Sequence, residues 1–292
     1  MTENEERQKR KASDFLALHH APEVLILPNV WDVVSAKIFE LERCRAIGTT
    51  SAGIAATLGY ADGQRMSLAE NLEVVRRIAT HTALPVSADI EAAYDSSVEG
   101  AAKAARAAWD AGAVGVNLED GSEDPAAPLF DTILQQERIR AMRNSGAADG
   151  VHLVINARTD AFMVIEDPSK GLRQSIDRGN TYMEAGADCV FVPDLGNLDK
   201  KAIALLVTEI AGPVNIIAGA TTPSIAELQD LGVARVSVGP RPMRAVLSRL
   251  KEIARELLSE GTYRRMSDST ISYSEVNRWF DERPGRPQGG SQ

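Results

Sequence analysis

Leu84-Pro85-Val86-Ser87-Ala88-Asp89-Ile90-Glu91-Ala92-Ala93-Tyr94-Asp95 begins as a short apolar run behind a proline and ends among carboxylates. A buried strand that delivers acids from its C-terminal end is how an α/β barrel builds an active site. Val114-Gly115-Val116-Asn117-Leu118-Glu119-Asp120 repeats the pattern one unit later. These two strand ends are the centre from which the rest of the chain is read.

Outward from them, short apolar runs alternate with amphipathic stretches. Strands are expected at 25–27, 45–48, 85–88, 114–118, 152–157, 189–193, 213–218 and 235–238, the first ended by Pro28-Asn29. They read as continuous apolar runs because both faces of a parallel sheet are buried. Helices are expected at 33–41, 67–78, 97–111, 131–143, 169–185, 198–210, 224–231 and 243–258, with Asp32 as an N-cap and Ser67 with Glu70 as a capping box. Asp110-Ala111-Gly112-Ala113, Glu184-Ala185-Gly186-Ala187 and Asp230-Leu231-Gly232-Val233 each close a helix before a strand, with Gly at the C-cap. Thr49-Thr50-Ser51-Ala52-Gly53 reads as a small-residue loop that lets a ligand approach the backbone. Eight strand-then-helix units without a domain-like break favour a (β/α)8 TIM barrel over a doubly wound sheet. The expected organisation is one α/β domain over 1–282, with an N-terminal helix and a C-terminal helical arm, and a disordered Gly-, Pro-, Ser- and Gln-rich tail at 283–292.

Across 292 residues, 41 acids stand against 32 Lys and Arg, a net charge of -9. That balance argues against a nucleic-acid or anionic-membrane surface, both of which call for a basic footprint. Cys44 and Cys189 make no disulfide framework and read as small buried hydrophobes. No apolar run approaches the roughly 20 residues that span a bilayer. The charged opening lacks the apolar core of a secretory signal, so the expected setting is cytoplasmic. Trp279 and Phe280 on the arm suggest docking on a partner subunit.

The candidates for chemistry collect at strand C-termini: Thr50, Ser51 and Asp62, then Asp89 and Glu91, then Asn117, Glu119 and Asp120, then Asn156, Arg158 and Asp160, and finally Asp194. So many carboxylates at one mouth repel one another unless a cation sits among them. A hard divalent ion such as Mg²⁺ is the economical answer, with Arg158 gripping a substrate carboxylate. Any single acid after a strand could equally be a cap or a surface residue. Ser97 and Asp131 read as caps, and Asp120 as a residue that orients Glu119 or caps the next turn. Asp89, Glu119 and Arg158 all emerge at one rim, which favours a functional role. His19, His20, His81 and His152 lie on helices or at strand starts, away from that rim, so a histidine base or histidine metal site is not expected.

Pro28-Asn29-Val30-Trp31-Asp32 with Ser35-Ala36, Thr50-Ser51-Ala52-Gly53, Leu58-Gly59-Tyr60-Ala61-Asp62-Gly63, Ala88-Asp89-Ile90-Glu91, Asn117-Leu118-Glu119-Asp120 and Asn156-Ala157-Arg158-Thr159-Asp160 resemble the isocitrate lyase/phosphoenolpyruvate mutase superfamily, in order over roughly residues 14–260. The nearest look is to its carboxyphosphonoenolpyruvate phosphonomutase-like branch. The resemblance implies a Mg²⁺-dependent barrel, with Mn²⁺ as an alternative ion, in a homo-oligomer: a dimer or a tetramer with its last barrel helix exchanged between subunits. It implies that Thr50, Ser51 and Ala52 hold the substrate's carboxylate and oxo group through backbone amides. Asp62, Asp89 and Glu119 match acids of the metal network, Arg158 matches the substrate-binding arginine, and Asp194 falls where the lyases carry a glutamate. Arg158, Glu119 and Asp62 are thus the catalytic candidates.

The departures narrow the reaction. The Cys- and His-bearing loop of isocitrate and methylisocitrate lyases is here Gly121-Ser122-Glu123-Asp124-Pro125-Ala126-Ala127-Pro128, which argues against those activities. Gly121 replaces the lysine of the phosphonate enzymes. The metal motif is one carboxylate short, reading Ser87-Ala88-Asp89, and Glu91 stands as a substitute ligand, direct or through water. The leading expectation is a Mg²⁺-dependent lyase acting on a small 2-oxo or 2-hydroxy di- or tricarboxylate through an enolate. The rivals are a phosphonopyruvate or phosphoenolpyruvate phosphonomutase-type P–C bond enzyme, disfavoured by Gly121, and a non-catalytic 2-oxo acid binding protein.

Overall fold

The structure, a computed structural model, describes residues 2–122, 124–146, 150–193, 196, 198–268 and 270–281. Its strands are β1 (Leu25–Leu27), β2 (Asn29–Val30), β3 (Ile47–Thr49), β4 (Val86–Asp89), β5 (Gly115–Glu119), β6 (Val154–Arg158), β7 (Cys189–Val192), β8 (Val214–Ile217) and β9 (Arg235–Ser237). All neighbours are parallel, in the order β1-β9-β8-β7-β6-β5-β4-β3-β2. The two ends of that order are consecutive in the chain, so the sheet closes into the expected TIM barrel.

The first barrel strand does not stop at Pro28-Asn29 as expected. It is split there, Leu25–Leu27 pairing with β9 and Asn29–Val30 with β3. Proline has no N–H to give a ladder, yet its carbonyl still accepts from Gly48 N at 3.0 Å. The Asn29 side chain stitches the seam: Oδ1 accepts from the amides of Val238 and Gly239 at 2.9 and 2.8 Å, and Nδ2 donates to Thr49 O at 2.8 Å.

Helix α1 (Glu3–Leu18) lies across the N-terminal end of the barrel, burying Ala12, Phe15 and Leu18. Gly115 makes room for it, since a Cβ there would lie 2.7 Å from the Phe15 ring. The outer layer is α2 (Val33–Leu41), α4 (Leu68–His81), α5 (Val98–Asp110), α6 (Thr132–Ser145), α8 (Pro168–Glu184), α9 (Lys200–Glu209) and α10 (Ile225–Asp230). Asp32, Ser67, Ser97 and Asp131 cap their helices as read, Ser67 with Glu70 in a reciprocal box; each such cap contributes about 1 kcal/mol. Two short helices sit at the C-terminal rim: α3 (Ser51–Leu58) and α7 (Ala161–Val164). The first corrects the expected loop at 49–53. Thr50 accepts from Gly53 N, caps the chain and turns Ser51 onward into helix. Cys189 is buried as expected, whereas Cys44 is only half-buried.

Past the barrel come α11 (Arg241–Arg255), a π-helical turn at Glu256–Glu260, α12 (Arg264–Ser267) and α13 (Tyr273–Asp281). Only Met243 of α11 is buried, and Val246, Leu247 and Leu250 point to solvent. The barrel is correspondingly bare at Ile26 of β1 and at Val34, Ile38 and Leu41 of α2. No described helix is long and apolar enough to cross a membrane. The expected tail at 283–292 lies outside the described residues.

Candidate active site

Strand β4 opens the site. Asp89 Oδ2 accepts from both the amide and the hydroxyl of Ser51 at 2.9 Å, and Asp89 N donates to Thr49 Oγ1 at 2.9 Å. The other carboxylate oxygen, Oδ1, is buried with no partner, as is Ser87 Oγ two residues earlier on the same face. Beyond Asp89 the backbone turns sharply: Glu91, Ala93 and Tyr94 have φ of +49°, +68° and +58°. That region costs a non-glycine residue of order 1 kcal/mol, so the turn needs outside support. Buried Arg138 of α6 supplies it, donating to the carbonyls of Ala92 and Asp95 and to Gln135 Oε1.

The turn aims Glu91 back at the rim. Its Oε1 accepts from Tyr94 Oη at 2.9 Å and its Oε2 from Gln64 N at 2.7 Å. Burial, then the charges of Asp89 and Asp62, push its pKa up to about 7 against these two donors.

Strands β5 and β6 lie in register at Glu119 and Arg158. Arg158 Nη1 meets Glu119 Oε1 at 2.6 Å, while Nε and Nη2 reach the two oxygens of Asp160 at 2.6 and 3.2 Å. Burial opposes the guanidinium charge, but Glu119 and Asp160 outweigh it and raise the Arg158 pKa. Glu119 is itself pushed up by burial and by Asp160, Asp89 and Glu91, with Arg158 opposing. One arginine thus holds a crowd of acids together.

Asp120 points the other way. It is fully buried and accepts from Asp160 N at 2.8 Å, Tyr182 Oη at 2.7 Å and Arg178 Nη1 at 3.1 Å. Arg178 also donates twice to Phe130 O at 3.0 Å, and Phe130 N donates to Asp120 O at 2.8 Å. This network closes the neck of the 121–130 loop and places Asp160 for Arg158.

Asp89, Glu91, Glu119, Arg158 and Ser51 therefore share one mouth. Asp62 lies on an exposed turn beyond α3. Partial desolvation of its carboxyl on the side facing the rim and the Asp89 charge raise its pKa against the Gly63 amide and Arg158. Of the three amides expected to bind substrate, Thr50 N donates to Val30 O at 3.0 Å and Ser51 N to Asp89. Strand pairing and the Asp89 clasp engage these two amides, and Ala52 follows in the first turn of α3. Asp194 lies outside the described residues. The histidines keep away from the rim: His19 is buried beneath the barrel against Phe15, and His152 Nε2 pairs with Asp188 at 2.8 Å.

Among the described residues no three His, Cys, Asp or Glu side chains converge closely enough to hold a metal ion as they stand. The donor chemistry nevertheless fits a hard cation. Asp89 Oδ1 is a buried, unpartnered acceptor, and Glu91 and Glu119 crowd acidic groups beside it, with Arg158 as their direct ion-pair partner at Glu119. Asp89 would hold such an ion directly. Glu91 and Glu119 already accept protein donors and would act through their remaining lone pairs or through water.

Sequence reasoning placed Asp160 at the rim but missed its grip on Arg158; the Arg-x-Asp spacing at the end of a strand was the available signal. Arg138 and Arg178 come from outer helices, and nothing in their local sequence points at the site.

The sequence profile of the phosphoenolpyruvate phosphomutase family matches residues 15–258. An uncharacterised protein of Mycobacterium tuberculosis is 36% identical over 82% of this chain and 87% of its own length. The crystal structure of a candidate lyase/mutase from Burkholderia cenocepacia is 32% identical and superposes with a TM-score of 0.87, covering 95% of this chain and 98% of the other. Phosphonopyruvate hydrolase in complex with oxalate and Mg²⁺ shares the fold at 21% identity and a TM-score of 0.81, over 92% and 94% of the two chains.

Proposed function

Because the chain belongs to the phosphoenolpyruvate phosphomutase family, within the isocitrate lyase/phosphoenolpyruvate mutase superfamily of lyases and mutases, we propose that it is a Mg²⁺-dependent lyase that cleaves a C–C bond of a small 2-oxo or 2-hydroxy carboxylate through an enolate. The observation that carries this reading is Arg158, clamped between Glu119 and Asp160 beside the unpartnered Asp89 oxygen. A substrate carboxylate would take the outward edge of the Arg158 guanidinium, with the Ala52 amide at the N-terminus of α3 as a second donor. When bound, Mg²⁺ would act as a Lewis acid toward the developing enolate oxygen. As the C–C bond breaks, its electron pair stays on the carbon next to the carbonyl, and a hydroxyl proton of the departing fragment must find a base. Glu91, aimed at the mouth by its bonds from Tyr94 and Gln64, is suited to take it and to return a proton to the enolate carbon. Buried Glu119 keeps Arg158 oriented through the cycle.

The phosphonate alternative fits less well. Gly121 supplies no cation, and a Cβ there would lie 2.8 Å from Asp160 Oδ2, so a longer side chain would need Asp160 to shift. We propose further that α11 is exchanged between two copies of the chain, since its apolar face and the bare patch on β1 and α2 each lack a cover.

The test is Mg²⁺-dependent release of pyruvate or another 2-oxo acid from a panel of 2-oxo and 2-hydroxy acids, beside calorimetry with oxalate as an enolate mimic. Turnover and oxalate binding that both require Mg²⁺ and weaken at least tenfold in Asp89→Asn are expected. Tight Mg²⁺-dependent oxalate binding with no turnover would favour a binding protein instead.

A further inference from the structure

Beside the Arg158 centre lies a cavity of about 320 Å³, with Tyr94, Asp95 and Ser96 on one side and Gly121, Ser122 and Asp124 on the other. It shares its walls with the centre. Tyr94 donates to Glu91, and Gly121 lies against the same Asp160 carboxylate that chelates Arg158. Through these shared residues the cavity adjoins the space in which a carboxylate would meet Arg158. None of the described lining residues is Lys, Arg or His. Nearby Arg138 is fully buried and turned to the carbonyls of Ala92 and Asp95 and to Gln135, behind the cavity wall.

We propose that this cavity receives the distal end of the substrate and that this end carries no negative charge. The substrate is then a monocarboxylic 2-oxo or 2-hydroxy acid, narrower than the di- or tricarboxylate expected from the sequence. The proposal rests on the lyase reading above. A second carboxylate or a phosphonate here would meet Asp95 and Asp124, with Glu91 and Asp160 behind the wall and no Lys, Arg or His among the described lining residues to pair with. A hydroxyl, amide or ammonium end would instead find carboxylate acceptors and the Ser96 and Ser122 hydroxyls. Gly121 contributes by carrying no side chain, which leaves the entrance beside Asp160 open.

The experiment is calorimetry of the full chain with Mg²⁺ against three probes: oxalate, 2-oxopentanoate and 2-oxoglutarate. The last two share a five-carbon backbone and differ in the charge of the distal end. In the unmodified protein 2-oxopentanoate should bind at least fivefold more tightly than 2-oxoglutarate. In Asp124→Lys, a change at an exposed side chain, the preference should shrink or reverse. The proposal is overturned if 2-oxoglutarate binds as tightly as 2-oxopentanoate, if the ratio is unmoved in the variant, or if oxalate binds and neither longer acid does. Failure of oxalate itself to bind would bring down the lyase reading, and this proposal with it.

Discussion

Arg158 shows how much one residue is asked to do. Its guanidinium spans Glu119 and both oxygens of Asp160, a planar fork that an ammonium cannot reproduce. Arg158→Lys keeps the charge and loses the fork, so kcat/KM on any substrate found in the panel should fall about 100-fold or more, while circular dichroism shows the fold retained. A second residue speaks to pH. His19 is buried, its Nδ1 donates to Phe15 O at 2.8 Å, and its Nε2 has no partner. Burial, and then the charge of Arg235, lower its pKa from 6.5 to about 4. The folded state therefore binds fewer protons than the unfolded chain between those values, so the stability His19 allows is full above pH 6.5 and is lost as pH falls toward 4. The loss is about 3 kcal/mol. Denaturant midpoints measured from pH 7 to 4.5 should fall more steeply in the unmodified chain than in His19→Gln.

Among the elements, the 121–130 loop and the turn after β4 are each held by a buried arginine from a different outer helix. Arg178 closes the neck of the first through Phe130 and Asp120, and Arg138 supports the left-handed backbone of the second. Arg178→Met strands Asp120 as a buried carboxylate without its ion pair, which should destabilise the protein by about 3–5 kcal/mol. Asp120→Asn added to it should recover part of that loss, and urea unfolding of the single and double variants measures both. Neither arginine stood out in the sequence. Each lies in the middle of an amphipathic helix, where Arg is an ordinary helix former, and its function depends on a loop 43–58 residues away in the chain. By contrast the caps at Asp32, Ser67 and Ser97 were legible, because a cap depends only on residues within one turn.

At the scale of the whole molecule, α11 is a 15-residue helix with one buried residue, and the barrel has a bare patch on β1 and α2. On the proposed exchange of α11 between copies, Leu250→Glu on the exposed apolar face should yield smaller species than the unmodified chain in sedimentation velocity, leaving the circular dichroism of the barrel unchanged. The sequence by itself determined the eight alternating units, the rim positions of Asp89, Glu119 and Arg158, and the family, since apolar runs, caps and motif order are local properties of the chain. Only the tertiary structure decided that Pro28 splits a strand while Asn29 sews the barrel shut. It also decided that the Thr50 and Ser51 amides are already engaged, and that Asp89 keeps one oxygen unpartnered. The opening stretch, Val86-Ser87-Ala88-Asp89-Ile90-Glu91, shows the division most plainly. Its acids were visible in the sequence, but Glu91 meets Tyr94 and Gln64 only because a turn of three left-handed residues, supported from another helix, bends it back to the rim. Contacts made across a closed barrel depend on where distant segments meet, and no local pattern encodes that meeting.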